Sequence, residues 1–245
     1  HTELYVSSKK AMEVIPKLST IYDEPFSDSS QIPTFLVSQL AKQQVKVALS
    51  GDGGDELFCG YNRYVISKKF WNMLNLMPKS LKKILASGLQ SISPQNWIKI
   101  SNLLPGLNQY ANFGDKIHKG ANVLEAETLS DLYFMLCSQW QNPTEVVING
   151  KEPATLLTEL KPKLKGLNSQ QQMMALDLIT YLPDDILVKV DRAAMASSLE
   201  TRTPFLDHKL IENVWKIPHS LKYSNGQGKW ILRQILNKHV PKNLT

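Results

Sequence analysis

The chain has 245 residues, 42% of them hydrophobic and 20% charged, a composition that excludes a disordered or low-complexity protein and suffices for one large core or two smaller ones. Lys and Arg exceed Asp and Glu by 28 to 22, but the excess is scattered through "SKKF", "SLKKIL" and "KPKLK" rather than gathered in a basic arm, which favours a solvated, mildly cationic surface over a nucleic-acid site. No apolar run approaches the roughly 20 residues needed to cross a bilayer, so no membrane partner is expected.

The first residues, "HTELYVSSKKAMEVI", lack the apolar segment of a secretory signal. A chain that begins at His1 rather than Met is expected to be a piece of something longer. Between Tyr22 and Ser30 the text "YDEPFSDSS" is acidic and turn-rich, with Asp28 as a helix cap and Gln31 at the capping-box position. Ile32, Phe35, Leu36 and Leu40 fall at helical spacing, which predicts a helix ending near Gln43. Then "VKVAL" predicts a buried strand from Val45 to Leu49, emptying straight into the glycine loop "SGDGGDE". After Asp55 the pattern turns helical again, weakened at Gly60. Helix, short apolar strand, glycine loop and helix are the local signature of a parallel α/β sheet, whose ligands sit beyond the carboxyl ends of the strands.

Residues 72–168 read as helical packing broken at Pro78, Pro94, Pro105, Pro143 and Pro153, with Trp71, Trp97 and Trp140 serving the core. From Ser169 the pattern "SQQQMMALDLITYL" predicts a helix stopped at Pro183, followed by a second helix over "DDILVKVDRAAMASSLE" with Asp184 or Asp185 near its start. On that helix Lys189 and Arg192 share a face, with Asp185 one turn before Lys189. The stretch "TRTPFLDHKLIENVWKIP" reads as a connection into a further short helix. The expected organisation is therefore an α/β part over 1–71, a helical region over 72–168 and a helical part over 169–245. Cys59 and Cys137 show neither metal-ligand nor disulfide-framework spacing, and a reducing, cytoplasmic setting is expected.

In "SGDGGDE" the glycines Gly51, Gly53 and Gly54 permit positive φ and close approach of backbone N–H groups to an anion. Asp52 and Asp55 would repel a phosphate unless a divalent cation lay between them, and Mg2+ takes oxygen ligands from one or two carboxylates plus phosphate. An acidic turn with glycines for geometry alone fits the spacing equally well. No Walker loop is present. Lys189 and Arg192 suit charge developing on a leaving phosphate; a solvated pair on a surface helix is the alternative. Glu200 and Arg202 read as a structural ion pair, and His208 as a hydrogen-bonded structural residue.

Together, "LSGDGGDELFCGYNRY" and "YLPDDILVKVDRAAMASSLETRTPFLDH" closely resemble the synthetase domain of glutamine-dependent asparagine synthetases, and "YDEPFSDSSQIPTFLVSQLAKQ" fits the segment preceding the first. The resemblance covers about residues 1–66 and 170–215. It implies an ATP pyrophosphatase-type α/β fold, mostly helical in this piece with two to four strands. The implied chemistry is adenylation of a side-chain carboxylate of aspartate by Mg-ATP with release of pyrophosphate, then attack by ammonia to give asparagine and AMP. It implies that Ser50, Gly51, Asp52 and Gly53 line the nucleotide and intermediate pocket, with Asp52 as base or ammonia-positioning carboxylate where the family often has Glu. It further implies that Asp55, with Glu56, holds Mg-pyrophosphate, and that Lys189 and Arg192 lie near the phosphates, Arg192 standing where some members have the lysine that stabilises the adenylation transition state. Cys59 replaces a residue that is usually glycine. The implied cofactors are ATP and Mg2+; the implied partners are aspartate, ammonia from a glutaminase domain, and a second copy in a homodimer. The family's Ser-Gly-Gly-x-Asp-Ser loop and its glutaminase cysteine are absent from these residues. The chain is thus expected to be a C-terminal piece of the synthetase domain, binding ATP poorly and catalysing nothing alone. Two other readings stand beside it: a relative amidating another carboxylate, such as a sugar acid, and a non-catalytic helical module.

Overall fold

The computed structural model describes residues 2–103, 112–138, 146–151, 164–241 and 244. The expected breaks at Pro105, Pro143 and Pro153 and the expected packing of Trp140 lie outside these residues. The chain divides into two units, His1–Asn62 with Met174–Thr245, and Arg63–Met173.

In the first unit, helix α1 (Ser8–Tyr22) starts where the Ser7 hydroxyl accepts from the Lys10 amide, and stops where Asp23 turns left-handed. Helix α2 (Gln31–Lys42) begins where the sequence predicts, but Asp28 does not cap it: the N-cap is Ser30, with no side-chain cap bond. Asp28 Oδ1 instead accepts from the Ser30 amide and hydroxyl, at 2.8 and 2.7 Å, and the Gln31 side chain donates to the Phe26 carbonyl at 3.0 Å. The other Asp28 oxygen is held by Lys189 Nζ at 2.5 Å, which turns the carboxylate away from the first helical turn.

The run "VKVAL" gives strand β1 at Val47–Leu49. It is shorter than expected because the Val45 amide is still bonded to the Ala41 carbonyl, 2.9 Å away, at the end of α2. Its partner is β2 (Glu200–Arg202), paired in parallel with Val47 opposite Glu200 and Leu49 opposite Arg202. The Glu200 amide donates to the Lys46 carbonyl and the Ser50 amide to the Arg202 carbonyl, at 3.0 and 2.8 Å. The α/β character is thus present in a chain that is otherwise helical among its described residues. As expected, Glu200 and Arg202 pair with each other, at 2.7 Å; they stand two apart on one face of the strand.

The predicted stop at Pro183 does not occur. Helix α3 (Gly54–Phe58) follows the loop; much later, the helix Ser169–Ile179 leads into a π-helical turn at Leu182–Leu187 and on into the helix Val188–Ala196. Proline lacks an N–H and crowds the carbonyl four residues back, and a wider turn absorbs both defects. The Asp184 amide reaches the Thr180 carbonyl at 3.0 Å, and the Thr180 hydroxyl donates to the Leu176 carbonyl at 2.7 Å.

Among the described residues, two apolar clusters help hold this unit. Val14, Phe35 and Ala193 are buried, with Leu18, Ile21, Ile32 and Leu36 against them, so α1, α2 and the helix Val188–Ala196 share a core. Leu57, Phe58 and Val214 form the other, covered by Phe205, Ile211, Trp215 and neighbours; it seats α3 on the helix His208–Lys216.

The second unit contains α4 (Asn62–Leu76, entering from the first unit), α5 (Lys79–Gln90), α6 (Pro94–Leu103), α7 (Phe113–Leu124) and α8 (Leu129–Cys137). Pro78 and Pro94 fall at helix starts, as their missing N–H groups favour. Leu74, Ala86 and Leu124 form its core, with Trp71 packed against them, while the Trp97 indole donates to the Leu89 carbonyl at 2.9 Å. A capping box between Thr128 and Asp131 starts α8. The elements that remain in chain order are α9 (Ser169–Ile179), α10 (Val188–Ala196), β2, α11 (His208–Lys216), α12 (His219–Lys222) and α13 (Trp230–Leu236).

Candidate functional site

The glycine loop leaves the carboxyl end of β1, where a parallel sheet presents ligands. Its turn is closed by the Ser50 hydroxyl, which donates to Asp52 Oδ2 and accepts from the Asp52 amide at 3.2 Å. Gly53 sits at φ 85° and is the N-cap of α3, a conformation that a residue with a Cβ resists. A Cβ there would also strike Leu206 at 2.4 Å, and one on Gly54 would meet the Phe205 ring at 3.3 Å. The segment "TPFL" after β2 is therefore the floor of the loop. Phe205 also meets Phe58 edge to face at 5.8 Å between centroids. The two sequence motifs are joined twice, by the β1–β2 ladder and by this floor.

The two carboxylates assigned to the metal diverge. Asp55 is one third exposed and pairs with Lys229 Nζ at 2.9 Å. Lys229 begins α13, its backbone is left-handed at φ 56°, and its amide donates to the Phe58 carbonyl at 2.7 Å. Beneath the pair lies Gly60, where a Cβ would fall 2.1 Å from Asp55 Oδ1 and 2.4 Å from Lys229 Cε. Glu56 turns inward: it is 1% exposed and accepts from the Tyr61 hydroxyl at 2.8 Å. Burial raises its pKa, opposed by the Tyr61 hydrogen bond and aided by the charges of Asp55 and Asp177. The Tyr61 hydroxyl is raised as well, by burial and by Glu56 beside it.

Lys189 and Arg192 do share a face, and that face is turned to the acidic segment after α1. Lys189 Nζ is 2.5 Å from Asp28 Oδ2, with both side chains mostly buried, and the Tyr22 hydroxyl donates to the Lys189 carbonyl at 3.2 Å. Burial raises the Asp28 pKa, but the hydrogen bonds from Lys189 and Ser30 and the Lys189 charge outweigh it and leave the carboxyl below its ordinary range. Arg192 is half exposed and lies 3.6 Å from Asp23, at one wall of a cleft of about 670 Å³ that Lys17, Thr20 and Met195 also line. The cations on α10 and the loop after β1 are thus held by different partners. Asp207 caps α11 through the Lys209 and Leu210 amides, at 3.0 and 3.1 Å, which gives Asp207 a structural role.

Sequence reasoning missed Lys229. Its signal was a lysine directly after the glycine-rich turn in "NGQGKW", where the turn chemistry points to backbone constraint but not to Asp55. Lys222, also unremarked in the sequence, is fully buried and lies over the Trp215 ring at 4.8 Å. Its Nζ has no hydrogen-bond partner among the described residues, and burial lowers its pKa, with Cys59 acting in the opposite sense.

A parallel strand that ends in a glycine-rich, acid-bearing loop, floored by the segment after its partner strand, marks an α/β protein, in which the sheet's carboxyl end is the candidate position for a ligand. The model of the asparagine synthase family matches residues 1–245, and the chain belongs to that family. It is 32% identical over 98% of its length to asparagine synthetase [glutamine-hydrolyzing] 1 of Bacillus subtilis, of which it covers 35%. It is 42% identical over 80% of its length to a putative asparagine synthetase [glutamine-hydrolyzing] 2 of Methanocaldococcus jannaschii, covering 34% of that protein. A more distant relative, 24% identical over 84% of the chain, is the amidase chyE of Penicillium rubens. The chain spans about a third of the length of the curated relatives it matches. No solved structure matches it.

Proposed function

We propose that this chain carries one side of the nucleotide site of a glutamine-dependent asparagine synthetase. The observation that carries the reading is the Asp55–Lys229 pair beside the glycine loop at the end of β1. The reading assigns Ser50, Gly51, Asp52 and Gly53 to the pocket wall for ATP and the acyl-adenylate. Asp52, whose orientation is fixed by Ser50, is assigned to position or deprotonate the incoming ammonia. Lys229 stabilises negative charge on the departing pyrophosphate, a task for a cation held in a fixed place before the charge develops. Arg192 keeps the exposure needed to reach a phosphate, whereas Lys189 is committed to Asp28 and holds the "DEPFSDSS" segment against α10.

Among the described residues no group of three or more His, Cys, Asp or Glu could hold a metal by itself. Mg2+ needs only one or two carboxylates when phosphate supplies further oxygens, so the partly exposed carboxylate of Asp55 fits a shared ion rather than a caged one. Bound there, Mg2+ would neutralise pyrophosphate. Glu56, buried and with its pKa raised, accepts from Tyr61 and is left out of the ion's ligands in this reading.

Strand β1 supports the view that part of the site lies elsewhere in a longer protein. A parallel strand is ordinarily covered on both faces, yet Leu49 is 75% exposed. Purified alone, the chain is expected to give no ATP–pyrophosphate exchange; measurable exchange would falsify that expectation. In a full-length parent, Lys229→Ala and Asp55→Asn are each expected to lower kcat by about 100-fold or more, and unchanged turnover and Mg2+ dependence would remove both residues from the site. The second reading, another carboxylate acceptor, is favoured by the amidase relative; substrate profiling of the parent separates them, since amidation that excludes aspartate would sink the first.

A further inference from the structure

Asp55 and Lys229 come from segments 174 residues apart, and both backbones are fixed where they meet. Lys229 is left-handed at φ 56°, a conformation that costs a residue with a Cβ some stability. Its amide is tied to the Phe58 carbonyl at 2.7 Å. Gly228 before it lies so close on Cys59 that a Cβ would fall 1.9 Å from the Cys59 carbonyl oxygen, and the Gly228 carbonyl accepts from Arg233 Nε at 3.1 Å. Across the pair, the Asp55 carbonyl accepts from the Gly60 amide at 2.9 Å in the first turn of α3. An ion pair one third exposed adds little to stability, so stability alone does not account for this placement. The carboxylate is engaged on both sides. Its Oδ2 accepts from Nζ at 2.9 Å, and its Oδ1 is turned onto Gly60, 2.1 Å from where a Cβ would stand.

We propose that Lys229 makes this site select a divalent cation that arrives bound to phosphate over the free ion. The proposal rests on the assignment of Asp55 to Mg2+ given above and adds the form in which the ion is accepted. At Asp55 a free Mg2+ would meet a carboxylate already neutralised by an ammonium group. It would gain no net attraction, be repelled by Nζ, and have to give up tightly held water. A complex of Mg2+ with pyrophosphate keeps a net negative charge, which Lys229 attracts. Lys229 then exchanges Asp55 for a phosphate oxygen while Asp55 exchanges the ammonium for the metal. Each charge keeps an opposite partner, so neither is left uncompensated. With the Lys229 backbone clamped, the exchange is a side-chain rotation, and the exposed third of the side chain gives it room. The same rotation sets the ammonium on the departing group before its charge develops.

The test measures metal binding to the purified chain, with Mn2+ as the paramagnetic probe, added alone and with inorganic pyrophosphate. Lys229→Met is expected to tighten binding of free Mn2+ about 10-fold, by removing the competing cation, and adding Asp55→Asn to it should cancel the gain. The unaltered chain is expected to favour the pyrophosphate complex over free Mn2+ by about 10-fold, a preference that Lys229→Met abolishes. Lys229→Gln, which keeps a polar head, should behave as Lys229→Met does. A variant-free measurement is the ammonium resonance of Lys229, expected to shift with Mg2+ and pyrophosphate together but not with Mg2+ alone. Four outcomes overturn the proposal: free Mn2+ bound no tighter after either Lys229 change; a gain that survives Asp55→Asn; no preference for the complex in the unaltered chain; or an ammonium resonance that moves with Mg2+ alone or with neither addition. Failure of the underlying reading shows differently, as unchanged turnover of a full-length parent carrying Asp55→Asn. Lost turnover in that variant, with free Mn2+ affinity indifferent to Lys229, sinks the selection and leaves the site standing.

Discussion

At the scale of single residues, Gly60 makes the Asp55–Lys229 pair sensitive to one added carbon. Gly60→Ala puts a methyl group between Asp55 and Lys229, 2.1 Å from the carboxylate, and the pair must separate. In a full-length parent the expected outcome is a fall in kcat comparable to that of Lys229→Ala, with a smaller loss of stability, since the pair is one third exposed. Asp28 acts through pH. A carboxyl held below its ordinary value of 3.8 contributes stability that is complete above that value and is lost as pH falls through the lower folded value. Asp28→Asn should therefore flatten the acid limb of the stability curve below about pH 4. At neutral pH the same change leaves Lys189 buried without its carboxylate, at a cost of about 3 kcal/mol. Thermal melts across that pH range check both parts. Cys59 adds a residue-scale explanation: its φ is 56°, which accounts for a glycine standing there in most of the family that the sequence resembles.

At the scale of elements, Thr128→Ala removes the hydroxyl half of the reciprocal cap of α8 and should cost about 1 kcal/mol by chemical denaturation. Legibility in the sequence followed how much each element depends on its own residues. Helix α2 and strand β1 were readable because Ile32, Phe35 and Leu36, and then "VKVAL", carry their own periodicity. Strand β2 was not, for "ETR" is a polar tripeptide that is a strand only because β1 offers it a ladder. The passage of the chain through Pro183 was misread because proline's local rule is to stop a helix, and the π-helical turn that evades it is stabilised by Thr180 and the packing around it. In the site, the loop with Ser50, Asp52 and Asp55 was legible from its glycines. The pairing of Lys229 with Asp55, 174 residues apart, and of Lys189 with Asp28, 161 apart, has no local signature, so the face shared by Lys189 and Arg192 was foreseen and its acidic partners were not.

At the scale of the whole molecule, the uncovered strand has a practical effect: Leu49→Lys should raise the soluble yield of the isolated chain without lowering its melting temperature, because Leu49 contributes 75% of its surface to solvent and exposed apolar strand edges template association. The β1–β2 ladder also sets an order of assembly. Val47 meets Glu200 some 150 residues later in the chain. At about 5–20 residues per second on the ribosome, that is roughly 8–30 s of synthesis during which β1 has been made and its partner has not. The ladder and the Phe205–Leu206 floor under Gly53 and Gly54 both come from the late segment, so the helices of Arg63–Met173 can fold before the glycine loop acquires its shape. A nascent chain arrested before Leu199 would present that loop as an open, protease-sensitive tether, and release past Asp207 would close it.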